Sequence, residues 1–427
     1  MTAQLIERNG REVTIQITID LGGTMLQAED RIQDACNEAG ALATAETLKR
    51  FDTDGSPILM GEIKWTKRGA SPKKYQTPYG EVEIERHVYQ TSKGGRIFCP
   101  LEADARIIRH ATPRFAKQLA HKYAQTNVNA VCQDLWENHR RRIAASYVQH
   151  VADWVGGIAC AKEERWEYAM PKLDAAVATV AVSVDGAMLP MQEAGWREAM
   201  VGSVSLYNPD GERLHTIYVG EAPQYGKESF KQRMGREIER VKVLYPKALY
   251  LGIADGAQDN WQFLEQHTER QLLDYFHAAE YLPHLAAAAW PGKTDKPRRE
   301  QWLHEQKSRL KHEPEAVNTL IEEAERLTRK KSLGKTVREN LQAALTYFTN
   351  QRHRMDYARH VAENLPIGSG VVEAACKTLV KQRLCGAGMR WKHQGAKIVL
   401  SLRALVQSTG RWAQFWQKID QFGAQPC

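Results

Sequence analysis

Two apolar runs, Val180-Ala181-Val182-Ser183-Val184 and Leu249-Tyr250-Leu251-Gly252-Ile253-Ala254, are each followed at once by Asp-Gly, at Asp185-Gly186 and Asp255-Gly256. The pattern predicts two strands with a carboxylate at each strand end, on a rigid mount. Taken singly, an Asp-Gly after a strand is more often a turn than a site. A third segment, Ile367-Gly368-Ser369-Gly370-Val371-Val372-Glu373, reads as the glycine-rich approach to a helix whose second turn carries Glu373. Three acids so placed can hold two oxygen-preferring divalent ions, Mg2+ or Mn2+. Such a pair, about 3.5–4 Å apart, stabilises both the attacking and the leaving oxygen of a phosphoryl transfer.

The surrounding pattern sets the fold class. Strand-like runs at 177–185, 199–207 and 213–219 are separated by turns, including Asn208-Pro209-Asp210-Gly211. A helix near 228–244, the strand before Asp255, a helix over 259–266 and the run Gln271-Leu272-Leu273-Asp274-Tyr275-Phe276 follow. A meander of three strands, then strands alternating with helices, predicts an α/β core with a mixed sheet of about five strands and helices on its faces. That order is similar to the RNase H-like fold, in which acids sit on the first strand, the fourth strand and a later helix, where Asp185, Asp255 and Glu373 fall. The 98 residues between Asp274 and Glu373 are too many for a simple connection and read as an inserted helical, charged subdomain, with helices at 300–311, 313–331 and 337–349. It suits DNA docking or protomer pairing; a passive solvated bundle stays open as well.

The N-terminal part reads as a helix over 24–50 and then a small β module at 75–100, with a hairpin turn at Lys93-Gly94-Gly95. Residues 113–158 return to helical periodicity in three pieces, 113–123, 129–137 and 143–155. This is compatible with a helix-turn-helix DNA reader, and the basic run Arg140-Arg141-Arg142 after His139 supplies phosphate-binding side chains. A structural three-helix module with a basic loop fits the same pattern. The expected organisation is a helix plus β module at 1–110, a helical DNA-binding region at 111–160, the first part of the core at 175–278, the helical insertion at 279–364, and a catalytic helix with a basic tail at 365–427.

The chain has 427 residues, 43% of them apolar, which suits a globular protein with a sizeable core. Its net charge of +8 sits at one end: nine Lys or Arg follow Glu373 against the single acid Asp420, so the rest is balanced. Basic side chains beside a carboxylate site suit a polyanionic substrate. The seven cysteines include no C-x-x-C pair, so a zinc ribbon or disulfide framework is not suggested, and a reducing cytoplasm fits. No stretch approaches 18 apolar residues and the N-terminus lacks a signal-peptide core, so no membrane partner and a cytoplasmic, nucleoid-associated location are expected. A P-loop and a dinucleotide fingerprint are both missing, which disfavours a nucleotide-using metabolic enzyme.

Leu365-Pro366-Ile367-Gly368-Ser369-Gly370-Val371-Val372-Glu373, followed by Arg383-Leu384 and Gly388-Met389-Arg390-Trp391, resembles the DDE transposases of bacterial insertion sequences, most closely the ISKra type. The resemblance runs from about Val177 to Trp416. It implies that Asp185, Asp255 and Glu373 are the catalytic, metal-binding triad for two Mg2+ or Mn2+ ions. It implies cleavage at the element's ends and attack of the freed 3′-hydroxyl on target DNA. Asp274-Tyr275-Phe276-His277 resembles the D-x-x-H element of related transposases, placing Asp274 and His277 beside the triad, with satisfied structural roles for both equally open. Lys377, Lys381, Arg383 and Arg390 would meet DNA phosphates, and Trp391 an unpaired base or the protein core. The implied partners are double-stranded DNA, as terminal inverted repeats and target, and further protomers, a homodimer or larger on DNA. Some relatives carry N-terminal cysteine pairs, whereas Cys36 and Cys99 are isolated, so zinc is not expected. A nuclease of the same fold without strand transfer and a non-catalytic DNA-binding regulator derived from a transposase are the alternatives.

Overall fold

The computed structural model describes residues 2–426; Met1 and Cys427, the last of the seven cysteines, lie outside the described residues. The chain forms two compact units, one of residues 2–169 with 394–406 and 410–426, the other of residues 170–393 with 407–409. The stretch 365–427, expected as one catalytic helix and basic tail, is therefore divided between them.

The first unit begins with an antiparallel hairpin of β1 (Ala3–Asn9) and β2 (Glu12–Ile17). Sequence reasoning misses it because its apolar residues Ile6, Val13 and Ile17 are exposed, leaving no buried alternation to read. Helix α1 (Met25–Lys49) starts where expected, at a capping box between Thr24 and Gln27. A four-stranded antiparallel sheet follows: β3 (Ile58–Met60), β4 (Ile63–Gln76), β5 (Glu81–Thr91) and β6 (Gly94–Phe98). In β5, Val82 and Ile84 are buried between exposed Glu81, Glu83 and Glu85, the period-2 pattern of a half-buried strand.

After the short α2 (Pro100–Asp104), helices α3 (Pro113–Gln125), α4 (Val128–His139) and α5 (Ala145–Lys162) occupy the three expected pieces. Phe115, Leu119 and Tyr123 recur every fourth residue on the buried face of α3. Asn127 caps α4 by accepting the Ala130 N–H at 3.0 Å, and Arg140 ends it in the left-handed conformation. Helical residues 394–406 and the helix Arg411–Phe422 complete this unit. Gly156 permits the close packing of α5, since a Cβ there would lie 2.4 Å from Ile398 Cγ2. Arg403 and Arg411 are buried here, with Arg403 donating to the Ala124 carbonyl, so this part of the tail holds the fold together instead of facing solvent.

The second unit is an α/β layer around a mixed sheet of order β11-β10-β7-β8-β9. Strands β7 (Thr179–Met191), β8 (Gly195–Tyr207) and β9 (Arg213–Glu221) form an antiparallel meander. β10 (Leu249–Ala254) and β11 (Arg270–Leu273) run parallel to β7 on its other side. Parallel neighbours need a crossover, and α7 (Gln258–His267) supplies it between β10 and β11, while α6 (Glu228–Leu244) leads from β9 to β10. Phe230, Met234, Ile238 and Val241 line the buried face of α6. The six residues Thr179 to Val184 of β7 are all buried, as a central strand covered on both faces requires.

Beyond β11 come α8 (Tyr275–Ala279), α9 (Leu282–Ala289), α10 (Lys296–His312), α11 (Ala316–Thr328), α12 (Lys335–Gln351) and α13 (Tyr357–Ala362), with no strand among them. The segment 279–364 is thus helical. Its inner face joins the core through Leu310, Leu320, Leu341 and Phe348, each nearly inaccessible. The last element is α14 (Gly370–Ala375), which runs on through a π-helical segment, Cys376–Lys381, into a final turn, Gln382–Leu384. Among the described residues no helix is long and apolar enough to cross a membrane.

Candidate functional site

The parallel part of the sheet sets out the acids. Ile253 pairs with Ser183, so Asp255 and Asp185 each lie two residues beyond the same paired level on neighbouring strands. Ala254 pairs with Leu273, so Asp255 and Asp274 each lie one residue beyond it. Strands stand about 4.8 Å apart, so this register lines up three carboxylate-bearing positions across β7, β10 and β11.

Asp255 follows the last residue of β10, as expected, and its Oδ1 accepts the Ala257 N–H at 3.2 Å. Gly256 has φ +113°, a conformation that favours glycine. Asp185 departs from expectation: it is not at a strand end but in the middle of β7, paired with Val201. Gly186 makes no turn; it stays in the ladder opposite Met200 and leaves room for the Glu198 side chain, whose Oε1 would lie 2.2 Å from a Cβ there.

Glu373 lies in the first turn of α14, one turn earlier than expected, because the helix begins only at Gly370 after Ser369. Ser369, Asp274 and Glu373 form a connected set. The buried Ser369 hydroxyl is 2.8 Å from both Asp274 Oδ2 and Glu373 Oε1, and the Ser369 N–H also donates to Asp274 Oδ2. Asp274, fully buried, also caps α8 by accepting the His277 N–H on Oδ1 at 2.8 Å. Gly368 allows this approach: a Cβ there would lie 2.9 Å from Phe276 Cε2 and 3.3 Å from Asp274 Oδ2. His277 Nε2 stands 3.6 Å from Glu373 Oε1. Ligand atoms of Asp274, His277 and Glu373 all fall within 4.8 Å of one another, close enough to share one cation. Glu373 is thus brought directly to Asp274 and His277.

Asp185 reaches the same helix one turn later, where the Cys376 thiol is 3.3 Å from its Oδ2. Burial, and then the Asp185 carboxylate, push the Cys376 thiol well above its usual range and keep it protonated as a donor. Cys376 opens the π segment, and such wide turns are frequent at functional sites. In a regular α-helix a residue eight positions on has rotated about 80° from its starting face. The wider turn reduces that drift and brings Lys381 back towards the face of Glu373 and Lys377.

Of the expected DNA contacts, Lys377, Lys381 and Arg390 are exposed. Arg383 is not: it is 3% exposed with its guanidinium 5.3 Å from the Trp391 ring centre, which makes it a buried support for that ring and not a phosphate ligand. Trp391 is half-buried, its indole N–H donating to the Leu384 carbonyl at 2.8 Å. In the first unit, Arg142 is exposed and lies 4.3 Å over Trp136, and Arg140 pairs with Asp30. Arg141 turns inward, donating to Gln76 Oε1 at 2.7 Å and to the Thr77 carbonyl at 3.2 Å, and burial lowers its pKa. It is spent on the fold, which corrects its assignment to DNA.

Three contributors were not foreseen. Ser369 lay within a glycine-flanked motif read as a simple helix approach. Tyr347 and Gln351 of α12 hold the Asp255 turn, with the Tyr347 hydroxyl donating to the Asp255 carbonyl at 3.0 Å and the Gln351 amide to the Gly256 carbonyl at 3.4 Å. Tyr281 stacks on Tyr347 at 4.0 Å. No spacing rule links positions 92 residues apart. Tyr347→Phe keeps the stack and deletes the hydrogen bond, worth about 1 kcal/mol. The expected result is a small fall in melting temperature, read by calorimetry; an unchanged melting temperature would confine Tyr347 to packing.

No family model matches this chain, and no curated protein matches it.

Proposed function

We propose that the chain is a DDE-type DNA transposase with an RNase H-like core, cutting DNA at the ends of an insertion sequence and joining the freed 3′-hydroxyl to target DNA. The observation that carries this reading is the sheet: a three-strand meander whose first strand, bearing Asp185, lies beside the parallel fourth strand that ends at Asp255, with Glu373 on a later helix. That is the strand order and acid placement expected of the fold.

Asp185, Asp255 and Glu373 would hold Mg2+ or Mn2+, with Asp274 and His277 flanking Glu373. Asp274, His277 and Glu373 come within 4.8 Å of one another and suit one cation, whereas Asp185 and Asp255 fall outside that group. A hydroxyl carries one hydrogen, so Ser369 Oγ can donate to only one of its two carboxylate neighbours at 2.8 Å, and a positive charge at Glu373 relieves the remaining oxygen–oxygen repulsion. An ion held there would supply Lewis-acid stabilisation of the charge that develops on a transferring phosphoryl group. The chain's own parts do the rest. Asp274 and Ser369 orient Glu373, Tyr347 and Gln351 fix the Asp255 turn, and exposed Lys377, Lys381 and Arg390 neutralise the phosphates on either side of the cut. Helices α3 to α5, with Arg142 and Arg140 at the α4–α5 loop, are suited to reading terminal repeats.

The test is incubation of the full-length protein with a fragment carrying the gene's own flanking ends and Mg2+ or Mn2+. Metal-dependent nicks at a terminal repeat and joined products are expected. Nicks without joined products would indicate a nuclease, and binding without cutting a regulator. Two DNA ends must be held together, so at least two protomers per complex are expected; sizing that finds one would overturn the assembly.

A further inference from the structure

A cavity of about 670 Å³ opens along the β7–β8 hairpin, lined by the hairpin tip and, nearer Asp185, by Glu198, whose carboxylate lies beside Gly186. The hairpin tip is stitched to residues 390–392: the Trp391 N–H donates to the Pro190 carbonyl and the Gln192 N–H to the Trp391 carbonyl, both at 3.0 Å. This holds the Trp391 ring in the cavity wall, with Arg383 5.3 Å from the ring centre. Across from it, the turn Tyr225–Lys227 carries a fully exposed Tyr225. Arg197, Lys227 and Lys392 add cations, and Glu193 and Glu198 add acids. Lys227 pairs with Glu198 at 2.7 Å, so the unpaired balance is Arg197 and Lys392 against Glu193, one positive charge in excess.

We propose that this cavity binds an unpaired nucleotide of a DNA strand, its base against Tyr225 and Trp391 and its phosphate at Lys392 and Arg197. The volume lies within the range of small-ligand pockets. Two aromatic rings beside cations form the stacking platform that single-stranded nucleic acid uses whatever its sequence. Placement agrees: Met191, in the cavity wall, is six residues past Asp185 on one strand, about 20 Å at the rise of a β-strand. DNA held at the acids would thus pass the cavity within about six base steps. The proposal rests on the DNA-processing reading above.

The experiment measures binding and not cutting, in full-length Glu373→Gln protein, by fluorescence anisotropy with labelled oligo(dT) and with a duplex of equal length. Tyr225→Ala removes a side chain that makes no buried contact, so folding is preserved. It is expected to weaken oligo(dT) binding roughly five- to hundredfold, the range for one stacked base, and to leave duplex binding within about twofold. Lys392→Ala is expected to lower the salt slope for the single strand by about one phosphate. Unchanged oligo(dT) affinity in Tyr225→Ala would overturn the proposal, as would an equal loss on the duplex. Thymidine monophosphate competing at the same concentration as the oligonucleotide would overturn it too, in favour of a small-molecule site. Cutting by the wild-type protein is scored separately, so its failure would sink the transposase reading and leave this binding result standing.

Discussion

Glu373→Gln is expected to remove DNA cleavage almost entirely, by about three orders of magnitude or more, while leaving the protein folded and able to bind end DNA. Glutamine keeps the shape, and its amide can donate to the Ser369 hydroxyl oxygen that the carboxylate faces at 2.8 Å while that hydroxyl donates to Asp274, so α14 keeps its first turn. What is lost is the negative charge at the point where Asp274, His277 and the acid converge. A metal-held phosphoryl transition state draws several kcal/mol from that charge, and each 1.36 kcal/mol is a factor of ten in rate. Two readouts decide it, namely single-turnover cleavage in Mg2+ and melting with and without the ion. The proposed role requires that added ion stabilise the wild-type protein and fail to stabilise the variant. Cleavage within tenfold of wild type would take Glu373 out of the chemistry.

The same residue marks how far the sequence could be read. The core strands and helices were legible because their periodicity is strong. The β7 run from Thr179 to Val184 is mostly apolar and fully buried, as a central strand must be, and α6 places Phe230, Met234 and Ile238 every fourth residue. The helical insertion was legible from its length and charge pattern. The β1–β2 hairpin was not, because most of its apolar side chains, Ile6, Val13 and Ile17 among them, stay exposed and no buried face imposes a clear pattern. Asp185-Gly186 misled for a related reason. Asp-Gly ordinarily closes a turn, but here pairing with β8 continues to Met191, and the tertiary ladder overrides local turn chemistry.

Within the site, the acids were readable as residues but not as a geometry. Their levels depend on strand register, which is decided by pairing between β7, β10 and β11, and their partners come from far along the chain. Ser369 is buried because it joins two acids, a property invisible in a glycine-flanked serine. The basic tail shows the converse. Charge counting treats its nine cations alike, yet Arg383, Arg403 and Arg411 are buried, and the exposed ones, Lys377, Lys381, Arg390 and Lys392, all lie within the second unit. Burial separates supports from ligands, and composition does not report burial.

Asp274→Ala is expected to be the most destabilising change near the site and to lower activity indirectly. The carboxylate is fully buried and receives three hydrogen bonds, from the His277 N–H, the Ser369 N–H and the Ser369 hydroxyl. Loss of the α8 cap costs about 1 kcal/mol, and loss of the charge-assisted bond from the Ser369 N–H costs about 1.5–3 kcal/mol more, because that buried donor finds no replacement, while the Ser369 hydroxyl can turn to Glu373. For a unit of this size that corresponds to a melting temperature lower by about 10 °C, measured by calorimetry. Asp274→Asn should fall between wild type and alanine, since its remaining carbonyl can satisfy the cap but its amide opposes the Ser369 N–H. The alternative is that Asp274 is chiefly a cation ligand, as its closeness to His277 and Glu373 allows. Asp274→Asn would then leave the melting temperature unchanged without metal and shift only the metal titration. The burial and the three donors favour the first outcome, in which Asp274 sets the position of Ser369 and, through it, of Glu373.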